Sequence, residues 1–427
     1  FFLIVFLELW IVVAIFGVVI AVVFNMYPTS VLPVWLEIPI AIYLGYLIYK
    51  KGANVMSWSI LAVIAMYITV VIGAYVPIKM PTIAGIPPVG CWVIVLLAYA
   101  FIASTLPVTT LLQPRDFINS HQLVVALTLL VLGVLFTSFG GNLDIVAPAV
   151  QLSPEKAPPM WPFLFITIAC GAISGFHSLV SSGTSAKQVR DEQDSLFVGY
   201  GSMLLEGVLA TLVIIAVSAG IGLGYTAKSG ESFTGVAAWT AHYASWAGIG
   251  GIGNAARAFV DGSANMIATL GIPKNIGIVI MGVFLASFAG TTLDTATRIQ
   301  RYVVAELFGS LNIKALTNRY TATAVAVGTA LILAFSTGAS GTGAGKLWPL
   351  FGAVNQTLAA LALIIITLYL KRRGGLKWLV SGIPAAFMAV ITIWALILNE
   401  VRFSSGGNTL LTVINIFILF LAIWIAI

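Results

Sequence analysis

The stretch at 166–188, ITIACGAISGFHSLVSSGTSAKQ, carries glycines, hydroxyls and one histidine straight through an apolar segment. Gly171 and Gly175 let a neighbouring backbone come close. His177, Ser181 and Thr184 recur at i, i+4 and i+7, so on a helix they share one face. A bilayer core offers such a face no water, and polar groups there need a partner, a ligand or an ion. The stretch therefore predicts a membrane-spanning helix that lines a binding site, provided the rest of the chain also belongs in a bilayer.

Composition puts it there. Of 427 residues, 60% are hydrophobic and 8% charged, whereas a soluble domain carries roughly a quarter charged residues. Crossing about 30 Å of hydrocarbon takes roughly 20 helical residues. Apolar runs of that order occur near 3–24, 32–49, 54–76, 90–112, 120–138, 161–183, 196–225, 275–296, 317–337, 347–370, 376–399 and 408–427. They have helix-length continuity rather than the ten-residue alternation of a barrel strand. The expected fold is all-α, a polytopic membrane helical bundle of about twelve spans, with 1–427 forming a single transmembrane domain.

Lysine and arginine orient it. The even-numbered loops hold Lys50, Lys51, Arg115, Lys187, Arg190, Arg298, Arg301, Lys314, Arg319, Lys371, Arg372, Arg373 and Lys377, thirteen of the chain's 20 basic residues. The positive-inside rule makes those loops cytoplasmic. Both visible chain ends then face the cytoplasm, and the long connection 226–273 lies outside the cell membrane, with short amphipathic or re-entrant helices. The net charge of +6 is accounted for by topology and calls for no nucleic acid. Cys91 and Cys170 fall inside spans, where reduced, packed thiols are the default. The chain opens at Phe1 within an apolar run that has no basic region before it, so it is not a signal peptide, and part of the N-terminus is expected to be missing.

Other spans also carry polar groups. In the fourth, Pro107 removes a backbone donor and frees a carbonyl one turn back, with Ser104, Thr105, Thr109 and Thr110 around the break. Broken helices of this kind build transporter sites at the bilayer midplane; a proline kink repaired by neighbouring hydroxyls is the plainer alternative. Pro114, Arg115 and Asp116 read as a helix end with a charge pair at the interface, an anchor or gate. Asp294, Arg298 and Arg301 sit at i, i+4 and i+7, beside Thr291, Thr292 and Thr295. They form either a gate or proton-relay pair, Asp294 with Arg298, or the point where the helix leaves the membrane. Asn355 and Gln356 are adjacent amides that do not share a face; one can line a cavity while the other bonds a neighbouring helix. Glu8 and Glu206 are carboxylates among apolar residues, and Glu206, following Gly201 and Ser202, is the better candidate for function.

Motifs for other chemistries fail. GASGTGAGK at 338–346 lacks the glycine and the hydroxyl of a phosphate loop, since Ser340 and Leu347 stand at those positions. His121, His177 and His242 have no ligand spacing. No nucleophile elbow is present. Nothing here points to an enzyme, a cofactor or a resident metal.

Four segments carry a resemblance. WPFLFITIACGA at 161–172 running into GFHSLVSSGTSAK at 175–187, LPVTTLLQPRDF at 106–117, LDTATRIQRYVVAELFG at 293–309 and WPLFGAVNQTLAA at 348–360 resemble, in the same order, the CstA family of carbon-starvation transporters. The resemblance implies a LeuT-like inverted-repeat core and a role in nutrient stress at the cell inner membrane. Family members begin with further helices that contain a His-His-Phe stretch and a Gly-Ala-Gly-Pro break, and neither occurs here. On that alignment the first span corresponds to the third core helix, 90–112 to the sixth and 161–183 to the eighth. Ser181 and Ser182 are then similar in placement to the hydroxyl pair that holds sodium in LeuT-like symporters; alternatively they bond back to carbonyls one turn earlier. Protons are the other option, through His177 or Glu206.

The reading that follows is a secondary active transporter, a symporter importing pyruvate or short peptides with H+ or Na+ by alternating access. Substrate would meet Ser104, Thr105, Pro107, Thr109, Gly171, Gly175, His177, Asn355 and Gln356. Ser181, Ser182, Thr184 and Glu206 would serve the ion, and Arg115, Asp116, Asp294 and Arg298 a gate. A membrane receptor that senses the nutrient without transport, or a channel, are the alternatives; no signalling domain or repeated filter favours either.

Overall fold

The computed structural model describes residues 2–151, 157–227, 229–243 and 252–426. The helices are α1 Phe2–Met26, α2 Val31–Lys51, α3 Val55–Tyr75, α4 Pro88–Thr105, α5 Leu112–Phe139, α6 Met160–Ala172, α7 Gly175–Gly183, α8 Asp194–Leu196, α9 Ser202–Ser218, α10 Gly235–His242, α11 Ile252–Ala268, α12 Lys274–Ser310, α13 Arg319–Phe335, α14 Trp348–Arg372, α15 Leu379–Ser405 and α16 Thr409–Ala426. A π turn, Phe197–Gly201, joins α8 to α9. The strands β1 Tyr225–Thr226 and β2 Ser232–Phe233 form a two-residue antiparallel hairpin. Among the described residues ten helices are long and apolar enough to cross a membrane, and Arg319–Phe335 and Thr409–Trp424 are shorter apolar ones. The chain is a multi-pass helical membrane protein.

α1 is apolar along its length apart from Glu8 and Asn25, and most of its residues are buried. It packs against α4, α12, α13 and α14. α12 lies against α1 along its length and is the other central element. α3 is peripheral: it buries one stripe, Ser59, Ala62, Met66, Val70 and Gly73, at helical spacing. Its other faces expose Ile60, Leu61, Ile64, Ile68, Val71 and Ile72, as lipid contact requires. A side chain at Gly73 would meet the Thr29 carbonyl at 2.7 Å, so glycine sets how closely α3 approaches the chain before α2.

Several expected spans change shape. The apolar run at 90–112 ends as helix at Thr105, and the next helix starts at Leu112 instead of near 120. The run at 161–183 is two helices, α6 and α7, parted at Ile173 and Ser174, whose backbones leave the helical region. Thr184 also lies off α7, with non-helical φ and ψ, so His177, Ser181 and Thr184 do not form one continuous helical face. Within the connection 226–273, residues 244–251 lie outside the described residues, and α11 packs against α5, α9 and α12.

Candidate functional site

Arg115 is among the largest fully buried side chains of the protein. It belongs to the second turn of α5, just after the break at Pro107. Its Nη1 lies 2.8 Å from Asp294 Oδ2 on α12, and its Nε lies 3.3 Å from Glu37 Oε1 on α2. Tyr99 of α4 accepts a bond from Arg115 Nη1 at 2.8 Å and donates its own hydroxyl to Asp294 Oδ2 at 2.8 Å. Ser287 Oγ donates to the other Glu37 oxygen at 2.5 Å. One turn further along α5, Asn119 donates to Thr291 of α12 at 2.7 Å. Four helices thus meet on one guanidinium between two carboxylates.

Burying charges inside a bundle is tolerable only when they are paired and hydrogen-bonded, and this cluster meets that condition almost fully. Asp294 Oδ1 and, one turn away on α5, Asn119 Oδ1 are the exceptions, buried without partners. Gly290 makes room for the arginine: a Cβ there would come within 2.5 Å of Arg115 Nη2. Phe24, Trp35, Leu96, Tyr99, Arg115 and Gly290 border a small void beside the cluster.

The sequence expectation of an Asp294–Arg298 pair is corrected here. Asp294 turns to Arg115 and Tyr99, while Arg298 and Arg301 turn to the end of α4. Arg298 Nη2 donates to the carbonyls of Ala103 at 3.2 Å and Leu106 at 2.8 Å, and Arg301 Nη1 donates to Ser104 O at 2.6 Å. The cause lies in Pro107. With no N–H, it leaves the Ala103 carbonyl without its normal helical donor, and cations at a helix C-terminus are favourable in any case. All three α12 charges are buried, so the helix does not leave the bundle at this point. Arg115 and Asp116 are likewise not at a helix end facing solvent; they lie near the start of α5, Arg115 in the cluster and Asp116 half-buried with Oδ1 unpartnered.

A second break, between α6 and α7, is held by α14. Asn355 Oδ1 accepts from Phe176 N–H at 2.7 Å and from Ser174 Oγ at 3.1 Å, and its amide donates to Cys170 Sγ at 3.4 Å. Gln356 donates to Ile166 O at 3.3 Å. Both amides therefore serve the same broken helix. Gly175 is required by contact: a Cβ would sit 2.2 Å from Asn355 O.

The remaining sequence candidates are scattered. Ser104 is buried and Thr105 half-buried, and both bond back to carbonyls of their own helix, Phe101 and Ile102. Pro107 and Thr109 are exposed, as are Gly171, His177 and Glu206. Gly171 and Glu206 adjoin, since a Cβ on the glycine would be 3.6 Å from Glu206 Oε1. Ser181 and Ser182 are exposed, and both hydroxyls donate to Ser178 O, at 3.0 and 2.8 Å. Thr184 is half-buried. Among the described residues no three His, Cys, Asp or Glu side chains gather to hold a metal ion.

Sequence reading missed Glu37, Tyr99, Ser287 and Gly290. For Glu37 the signal was present: a lone carboxylate in the apolar run at 32–49, the kind of intramembrane charge that marks function by default.

A family model described as carbon starvation protein CstA matches residues 1–395. The peptide transporter CstA of Helicobacter pylori J99 is 32% identical over 413 residues, covering 87% of this chain and 59% of that protein. The peptide transporter CstA of Mycobacterium tuberculosis H37Rv is 32% identical over 434 residues, covering 90% and 56%. The pyruvate/proton symporter BtsT of Escherichia coli K12 is 30% identical over 456 residues, covering 92% and 62%. The chain thus spans about three-fifths of the length of the relatives it matches. No solved structure matches. With its family model running over most of the chain, the protein belongs to the carbon starvation protein CstA family.

Proposed function

We propose that the protein is a secondary active transporter that imports a small carboxylated nutrient, a short peptide or pyruvate, coupled to the proton gradient. The observation that carries the reading is the Glu37–Arg115–Asp294 cluster. Four helices share a buried charge set, and charge inside a bilayer is costly enough to mark a functional site by default. Removing either partner would leave charge unpaired, so the set ties the motion of α2, α4, α5 and α12 together. Relatives named for peptides and for pyruvate with protons support the substrate class and the ion.

The two broken helices support alternating access. α4 gives way at Pro107 and α6 at Ile173–Ser174, and discontinuous helices of this type carry substrate sites and hinges in LeuT-like carriers. We assign the substrate to these breaks, with Ser104 and Thr105 at the first and Gly171, His177, Asn355 and Gln356 at the second, and the gate to Arg115, Asp294 and Arg298. Sodium is the less supported ion, because the Ser181 and Ser182 hydroxyls both donate to a single carbonyl of their own helix.

The even loops are the cytoplasmic ones in this reading, and 226–273 faces outward within one transport domain. Arg115, Arg298 and Arg301 no longer count toward that bias, being buried. Lys50, Lys51, Lys187, Arg190, Lys314, Arg319 and the run Lys371 to Arg373 with Lys377 still do.

Uptake of labelled pyruvate and of a labelled dipeptide into proteoliposomes, first under an imposed proton gradient and then under a sodium gradient, is the test. Accumulation above equilibrium with protons alone is expected. Equilibration without accumulation under either gradient would reject the coupled-transport reading.

A further inference from the structure

The fully buried charges Glu37, Arg115 and Asp294 hold one another, whereas Glu8, equally buried, holds nothing. Its relative exposure is 0%, and neither carboxylate oxygen has a hydrogen-bond partner. It belongs to α1, the helix that packs against α4, α12, α13 and α14. Arg298 and Arg301 of α12 are committed to the carbonyls at the end of α4, and Arg115 of α5 to Glu37 and Asp294. Arg257 of α11 pairs with Asp261 on its own helix. Lys371 and Arg372 of α14 and Arg319 of α13 are exposed at their helix ends.

Uncharged polar groups lie along the same turns of α1. Gln300 of α12 donates to Phe6 O at 3.0 Å and leaves its own Oε1 unpartnered, and the Trp10 indole N–H is also unpartnered. Cys170 of α6 lies within electrostatic reach of both Glu8 and Glu206. Its thiol sulfur accepts from Asn355, the residue that holds the α6–α7 break. Glu8 and the exposed Glu206 therefore both lie within reach of the thiol beside that break.

An ionised carboxylate without a partner or water is far more costly to bury than the neutral acid. Glu8 is thus stable in this conformation with its proton on, and it can lose that proton only when movement brings water or a cation to it. A carrier needs a site of this kind, where ionisation is tied to conformation.

We propose that Glu8 is the proton-carrying carboxylate of the protein. It keeps its proton while α1 is enclosed as seen here. The O–H bond breaks, and the proton passes to water, when α6 and α7 shift against α14 and open the Cys170–Asn355 contact. His177 and Glu206, both exposed, serve as approach and not as the carrier. This rests on the proposed transport function, and the test separates the two.

Glu8→Gln keeps shape and polarity but cannot release a proton. In proteoliposomes under an imposed proton gradient, wild type is expected to accumulate substrate and Glu8→Gln only to equilibrate it, while counterflow exchange in the variant persists. Failure of wild type to accumulate would sink the transport reading. Accumulation by Glu8→Gln equal to wild type would sink the role of Glu8. Infrared difference spectra between acid and alkaline samples give a readout independent of transport: wild type is expected to show one component of the neutral carboxylic acid carbonyl stretch that Glu8→Gln lacks. An unchanged spectrum in a folded variant overturns the proposal.

Discussion

Two regions of the protein carry many polar groups in apolar surroundings, and they differ in what those groups touch. Around Arg115, five side chains from α2, α4, α5 and α12 bond to one another, with Asn119 and Thr291 paired one turn away, and every charge is buried. Along α7, the serines bond to carbonyls of their own helix, and His177, Ser181 and Ser182 are exposed. A run of hydroxyls dense in sequence need not be a site, because each hydroxyl can satisfy itself one turn back. A guanidinium has five donors and no acceptor, so inside a bilayer it must recruit partners from other helices. Charges few and far apart in sequence therefore hold the bundle together, while the dense cluster lies at its surface.

Removing the arginine tests this contrast most severely. Arg115→Met leaves Glu37 and Asp294 buried without their cation, and breaking a buried pair in this way costs about 3–5 kcal/mol. Thermal unfolding in detergent should show that loss, together with loss of uptake. Arg190→Met is the control, since its pair with Asp194 is at 3.9 Å and its side chain is 90% exposed; no measurable change is expected there. Similar behaviour of the two variants would dissolve the distinction between the regions.

Glycine substitutions sharpen the same contrast at smaller cost. Gly290→Ala drives a methyl into the Arg115 guanidinium, and Gly175→Ala drives one into the backbone of α14. Overpacking of this kind costs about 1–3 kcal/mol. Gly207→Ala on α9 meets nothing within 4 Å and is expected to leave unfolding unchanged or to stabilise slightly.

Asn355→Leu comes next. It removes the acceptor for Phe176 N–H and Ser174 Oγ, and two polar groups at the α6–α7 break lose their partner. The expected loss of stability is about 1–3 kcal/mol, with proteolysis between 173 and 183 as the local readout. Unchanged protection there would mean that something other than Asn355 holds the break.

These outcomes bear on what the sequence made legible. The bundle was, because apolar runs of membrane length need no tertiary information. The break at Pro107 was, because proline removes a donor wherever it sits. The shared face of Asp294, Arg298 and Arg301 was visible as spacing, although their partners were not. Arg115 finds Glu37 78 residues away and Asp294 179 away, and no local pattern encodes which helices adjoin. The α6–α7 break has no proline; it depends on an amide 181 residues from Ser174. Gly290 reads as one small residue among many until the guanidinium beside it is known.

The smallest effects are expected on α7. Ser181→Ala and Ser182→Ala each remove a bond to Ser178 O from an exposed helix, and stability should change by no more than about 0.5 kcal/mol. If either variant lost sodium-driven uptake at unchanged expression, the exposed pair would be an ion site after all, and the contrast drawn here would hold for stability alone. His177→Gln divides the question further. Glutamine keeps a hydrogen-bonding group but cannot titrate, whereas an imidazole changes charge near physiological pH. His177 is exposed and accepts or donates no side-chain bond among those described, so its replacement should leave both unfolding and the pH profile of proton-driven accumulation unchanged. A flattened profile with exchange preserved would move the coupling proton from the interior of α1 to the surface of α7. The buried charges would then be a structural brace around a site that works at the edge of the bundle.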